Sequence, residues 1–184
     1  MRCFLAVVPP ADVVDDIARF LEPRHGAEGW AWTRPERFHL TLAFMADHPE
    51  QRIDELTAAL DEWARDRAPL SMEIAGAGCF GPVERAKVLH LSVPGTAGEV
   101  LGEWATQLRA LVSHHGGRPD GTGFRPHLTV ARSRRGQRAG RLLQALDTYA
   151  SPPFLVDEVV LVQSLLAEHR HEILHCSALT GPSA

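Results

Sequence analysis

The chain has 184 residues, 45% apolar side chains and a net charge of −4 at pH 7. That length supports one domain, or two small ones, around a sizeable core, and the acidic balance excludes a global basic field of the kind that draws a protein along nucleic acid. Cys3, Cys79 and Cys176, odd in number and far apart, predict reduced thiols in a cytoplasmic protein and not a disulfide framework; no apolar run has the length of a membrane span, and the run at 3–10, cut by Pro9-Pro10, is too short for a signal peptide.

The elements follow from periodicity and from breakers. Residues 3–8 read as a buried strand, and 11–21 as a helix with Val13, Val14, Ile17, Ala18 and Leu21 at helical spacing. Residues 23–37 form a loop that carries Trp30 and Trp32, 38–45 a strand, and 49–65 an amphipathic helix with Ile53, Leu56, Leu60 and Trp63 on one side. Residues 70–80 and 87–93 read as a strand pair joined through Gly81-Pro82. A third helix spans 96–112, and a loop with glycines at 116, 117, 121 and 123 leads to a strand at 127–131. The stretch 133–141 holds Arg134, Arg135, Arg138 and Arg141, is loosened by Gly136 and Gly140, and passes into a helix over 142–149. Strands at 154–166 and 171–179 follow. Strands and helices mix without strict alternation, which predicts an α+β chain with antiparallel sheets.

Two of these strands share a pattern. His39-Leu40-Thr41-Leu42-Ala43 and His127-Leu128-Thr129-Val130-Ala131 both read His, apolar, Thr, apolar, Ala, 127 − 39 = 88 residues apart. With ten His and 45% apolar residues, about 0.1 copies of the four-residue pattern are expected by chance; two copies at half the chain length point to an internal duplication. In a strand, residues two apart share a face, so each copy presents an imidazole beside a hydroxyl and buries the apolar residue between them. Two such strands facing one another suit phosphoryl chemistry. One imidazole activates water, the other protonates the leaving oxygen in line with it, and the hydroxyls donate to the non-bridging oxygens. A strained cyclic phosphodiester fits, because its leaving alkoxide must be protonated. The scheme calls for no cofactor and no metal.

These residues carry a family resemblance. The stretch from Trp32 to Leu42, with Pro35 and Phe38-His39-Leu40-Thr41, resembles the first signature of the two-histidine phosphoesterases, and within them that of the RNA 2′,3′-cyclic phosphodiesterases, also called 2′-5′ RNA ligases (the ThpR/LigT group). Gly123-Phe124-Arg125-Pro126-His127-Leu128-Thr129-Val130-Ala131-Arg132 resembles the second. Arg2 to Val7 is similar to the first strand of that family, and Gly76 to Phe80 with Val88 to Leu91 to its central hairpin. The resemblance implies one domain over 1–184 with two lobes and pseudo-two-fold symmetry. It implies two antiparallel sheets around a central groove, with the helices outside. It also implies hydrolysis of a 2′,3′-cyclic phosphate at an RNA or nucleotide end to a 2′-phosphate. His39 would then be the acid toward O3′ and His127 the base, with Thr41, Thr129 and Arg132 on the phosphate. Arg132 stands five residues beyond His127, the wrong parity for the same strand face, and reaches the site only if the strand ends or twists. Phe4, Phe44, Phe80 and Phe124 are candidate base-stacking platforms, and the arginines at 134, 135, 138 and 141 candidate phosphate contacts. Arg37 and His90 depart from the family pattern, which usually has Asn and Trp there.

His171-Glu172-Ile173-Leu174-His175 is a formal match to a zinc peptidase motif. That motif needs a helix, and the residues around it read as a strand, where positions four apart are about 13 Å apart. The expectation is an edge strand with His169, His171 and His175 on one face. Two further functions compete with hydrolysis. The same groove run in reverse is a 2′-5′ ligase, and a groove without turnover is a nucleotide- or RNA-end-binding module. A monomer is expected because the groove lies within one chain.

Overall fold

The computed structural model describes residues 1–121, 123–165, 168 and 170–182. The opening apolar run forms β1 (Cys3–Val7), and all five of its residues are buried. Pro10 starts α1 (Ala11–Leu21), which turns Val13, Ile17 and Leu21 inward. After β2 (Ala31–Trp32) comes the first motif strand, β3 (Leu40–Met45), then α2 (Ile53–Arg65). The middle of the chain holds β4 (Leu70–Met72), β5 (Ala77–Phe80), β6 (Ala86–Ser92) and α3 (Gly95–His114). The second motif opens β7 (His127–Gln137), followed by α4 (Gly140–Leu146), β8 (Phe154–Val156), β9 (Glu158–Leu165) and β10 (Arg170–Ala178).

Eight strands make one antiparallel path, β10-β9-β1-β3-β7-β6-β5, with β2 also on β7; β4 and β8 form a second, two-stranded sheet. The path has two halves, β10-β9-β1-β3 and β7-β6-β5 with β2, which meet at a single residue pair, Leu40↔Leu128. These two leucines directly follow the motif histidines. The strands part on either side of the pair, and a groove opens there. On the outer side α2 packs on β9 and β10, α3 on β3, and α4 on β5. Trp63 and Trp104 meet edge to face between α2 and α3. The Tyr149 hydroxyl after α4 donates to Asp16 of α1 at 3.0 Å.

Three readings of the sequence need correction. Residues 70–80 are not one strand: Gly76, at φ +75°, turns the chain so that β4 pairs with β8 and β5 with β6. The basic stretch after Ala131 does not loosen at once, since β7 runs on to Gln137 and gives up its strand form only after Gly136, at φ +78°. Residues 31–32, expected in a loop, pair with Arg132 and Ala131.

Candidate active site

Each motif histidine is fixed by the backbone just before it. His39 Nδ1–H donates to the Arg37 carbonyl at 2.7 Å, and His127 Nδ1–H to the Arg125 carbonyl at 2.7 Å. A carbonyl only accepts, so each neutral ring carries its proton on Nδ1 and leaves the Nε2 lone pair free. Both rings line one groove of about 580 Å³, together with Thr41 and Thr129. Arg132, Phe4 and Phe44 also line it.

Arg132 reaches the groove because β7 carries a bulge. Against β6, Leu89 pairs with Ala131 and His90 with Thr129, which leaves Val130 as the extra residue. One extra residue reverses the alternation of faces, so His127, Thr129 and Arg132 all face the groove, while Val130 is fully buried. The same device stands in β3. Leu5 pairs with Ala43 and Ala6 with Thr41, so Leu42 is the extra residue, and Phe44 joins His39 and Thr41 on the groove side. Each bulge lies three residues after its histidine. The parity obstacle raised by the sequence is thereby removed.

Around each histidine stands a three-ring cluster. His39 stacks on Phe4 at 4.6 Å between centroids and meets His171 edge-on at 5.3 Å. His127 meets Phe80 edge-on at 4.8 Å and His90 at 5.3 Å. Burial pushes His39 down to about 4; its bond to the Arg37 carbonyl opposes that shift, and the charges of His171, Arg37 and Arg132 add to it. His127 is lowered by burial as well, against the Arg125 carbonyl bond and with the help of Arg132 and Arg125. Burial and the neighbouring Arg37 also lower Arg132. At neutral pH the free groove therefore holds two neutral imidazoles. An anionic ligand, by offsetting the arginines, favours the protonated form of either one.

Of the four phenylalanines singled out by the sequence, Phe4 and Phe44 line the groove and Phe80 and Phe124 do not. Phe80 packs between His127 and His90, and Phe124 against the core with Arg109 over its ring. The arginines at 134, 135, 138 and 141 also lie outside the lining. Arg2, Trp32, Arg34, Arg37, Ser164 and His171 line the groove, although sequence patterning alone does not gather them there. His171 is the clearest surprise. Strand alternation puts it on one face with His175, but β10 has a bulge at Leu174, between the pairs Ile173↔Val162 and His175↔Leu161. His171 therefore faces the groove, while His175 Nε2 bonds Asp61 of α2 at 2.7 Å. The strand geometry and these separate partners dispose of the zinc motif; His169 lies outside the described residues. Among the described residues no group of three His, Cys, Asp or Glu is arranged to hold a metal ion, and no helix is long and apolar enough to cross a membrane.

A split antiparallel sheet with one His-x-Thr-x strand on each side of a groove is the LigT-type fold of the two-histidine phosphoesterases. The solved structure of a Thermus thermophilus protein superposes over 100% of both chains with a TM-score of 0.83 at 25% identity. Apo Escherichia coli LigT superposes over 97% of both chains with a TM-score of 0.76 at 22% identity. Residues 9–168 match the model of the 2′-5′ RNA ligase superfamily, and the chain belongs to that superfamily. It is similar to the RNA 2′,3′-cyclic phosphodiesterase of Thermotoga maritima, 31% identical over 134 residues that cover 72% of this chain and 70% of the relative. Its likeness to the enzyme of that name from Geobacillus stearothermophilus is 29% over 164 residues, or 88% of this chain and 51% of the relative, so the chain spans about half of that protein.

Proposed function

We propose that the groove hydrolyses a 2′,3′-cyclic phosphate at an RNA or nucleotide end to a 2′-phosphate, by two-histidine acid–base chemistry that needs no metal. One observation carries the reading: two imidazoles with free Nε2 atoms, two threonine hydroxyls and the Arg132 guanidinium line one groove into which, among the described residues, no carboxylate projects. The family names point to the same substrate. In the step, water attacks phosphorus, and His127 takes its proton at Nε2. The P–O3′ bond breaks, and His39 gives its Nε2 proton to O3′. The products are a 2′-phosphate and a free 3′-hydroxyl, and the two rings have exchanged protonation states. Thr41, Thr129 and Arg132 hold the non-bridging oxygens as charge gathers on them. In dilute water hydrolysis outruns ligation, because a second RNA end is scarce. The same reading makes the chain one domain of two lobes, each giving one motif, and a monomer, since one chain supplies the whole groove. Its three free cysteines suit the cytoplasm.

The test is an oligonucleotide ending in a 2′,3′-cyclic phosphate, incubated with the protein in EDTA and followed by phosphorus NMR. A 2′-phosphate is expected. A 3′-phosphate keeps the site and reverses acid and base. Binding without any product would overturn hydrolysis in favour of a binding module.

A further inference from the structure

The step above leaves Arg37 and His171 without a task, although both line the groove. Arg37 and His171 stand together on the wall beside His39. An Arg37 N–H donates to His171 Nε2 at 3.2 Å. His171 pairs with Ser164 between β10 and β9, and the Ser164 backbone N–H donates to the Arg2 carbonyl at 2.9 Å. β10 and the turn before β3 thus bring a guanidinium and an imidazole to one patch, while the Arg2 guanidinium lies farther along the groove, over the Phe44 ring at 4.5 Å.

The positive charge on that patch is uncompensated. Among the described residues no Asp or Glu lines the groove, and the ion pairs include none of Arg34, Arg37 and Arg132. The Arg37 Nε–H is buried with no acceptor among the described residues. A buried donor without an acceptor is unfavourable, and like charges crowded in a half-buried groove repel. Both penalties vanish when an anion arrives. A cyclic phosphodiester brings only one negative charge, which Arg132 and the threonines already meet. The wall beside His39 is built for a second anion.

We propose that Arg37, held by His171, forms a second phosphate subsite, which takes a phosphate on the 5′ oxygen of the nucleotide whose cyclic phosphate lies between His39 and His127. This rests on the reading of the groove as a nucleotide-end site. The 5′ phosphate is either the linkage to the preceding nucleotide of a chain or a free monoester; the guanidinium fork meets both in the same way. His171, by accepting from Arg37, holds that fork against the wall.

Calorimetry with adenosine 3′-monophosphate and adenosine 3′,5′-bisphosphate tests the subsite without turnover. The bisphosphate is expected to bind about tenfold tighter or more, as charge-assisted hydrogen bonds give. That preference should collapse in Arg37→Ala and survive in part in Arg37→Lys. Equal affinities in the wild type would overturn the proposal. Turnover of adenosine 2′,3′-cyclic phosphate, of its 5′-phosphorylated form and of a dinucleotide with the same end then identifies the source. A gain for both larger substrates assigns the subsite to any 5′ phosphate, and a gain for the dinucleotide alone assigns it to a chain linkage. Either gain must be lost in Arg37→Ala; one that persists there overturns the proposal. Tighter bisphosphate binding with no turnover of any cyclic phosphate leaves the subsite standing and removes the hydrolytic reading.

Discussion

The His39 half and the His127 half repeat one plan and then diverge. Both hold Nδ1 on the carbonyl two residues back, both place the bulge three residues on, and both surround the ring with a phenylalanine and a second histidine. The difference begins at the fifth residue, which is Phe44 in one half and Arg132 in the other. It continues in the companion histidine. His171 lines the groove and accepts from Arg37, whereas His90 is 1% exposed and neither of its ring nitrogens has a well-formed hydrogen bond. Beneath the groove on the His39 side Phe4, Ala6, Val160 and Val162 form an apolar cluster with Phe44 packed on it. On the proposed reading the shared plan supplies two proton carriers. On the same reading the divergence supplies direction, with an apolar floor under the Arg2 guanidinium on one side and Arg132 for the reacting phosphate on the other.

The shared part should break first and hardest. His39→Ala and His127→Ala are each expected to lower kcat by about 10²–10⁴-fold, the range of general acid–base catalysis. The double variant should fall little further, because the two act in one step. Steady-state rates on a cyclic-phosphate end measure this; additive losses would mean that the halves work independently. The divergent pair comes next. Arg132→Ala should cost about 10²-fold in kcat, as does the loss of one donor to a developing oxyanion. Phe44→Ala should instead raise KM by about threefold with kcat nearly unchanged, because it releases the Arg2 guanidinium that lies over its ring. Equal effects on kcat from both would erase the proposed polarity of the groove.

The sequence carried the pair of motifs and their inward face, because His-x-Thr-x needs only strand alternation over three residues. It failed wherever a bulge intervened. Leu42 and Val130 are buried and Leu174 is exposed, and nothing in the chemistry of these three apolar side chains marks them as extra. Yet they decide that Phe44 and Arg132 face the groove and that His171 and His175 part company. The groove residues Arg2, Ser164 and His171 come from both ends of the chain and meet through the β9-β1 and β10-β9 pairings, which local pattern cannot reveal. The α+β class and antiparallel pairing were legible from the order of elements. The split of 70–80 and the run of β7 to Gln137 were not, since Gly76 and Gly136 act through backbone angles.

Acidity sharpens the comparison more gently. With His39 pushed down to about 4 and His127 below the ordinary 6.5, the singly protonated pair is most populated on the acid side of neutrality. The free enzyme governs kcat/KM, so kcat/KM should peak between about 4 and 6.5 and fall as pH rises beyond. That dependence is the same whichever ring carries the proton. Bound phosphate offsets Arg37 and Arg132, so the alkaline limb of kcat should lie at higher pH than that of kcat/KM. Coincident limbs would show that the arginines do not hold the histidines down.

The smallest effect separates the companion histidines. Burial, with the nearby His127, pushes His90 down to about 4, although the Leu91 backbone lies close enough to oppose that shift. A histidine whose folded value lies below its unfolded 6.5 adds stability above pH 6.5 and loses it as pH falls toward 4, here by about 3 kcal/mol. His90→Leu removes two buried nitrogens that lack a well-formed hydrogen bond and keeps the volume against Gly78, so it should raise stability at pH 7 by about 1 kcal/mol. It should also flatten, without abolishing, the acid loss, since His39 still titrates in the same window. His171→Leu should not stabilise, because it strands the Arg37 N–H that its ring accepts. Urea midpoints at pH 7 and pH 5 for the two variants read this directly. If both leucines stabilised alike, His171 would be a mere packing residue, and the asymmetry of the two halves would rest on Phe44 and Arg132 alone.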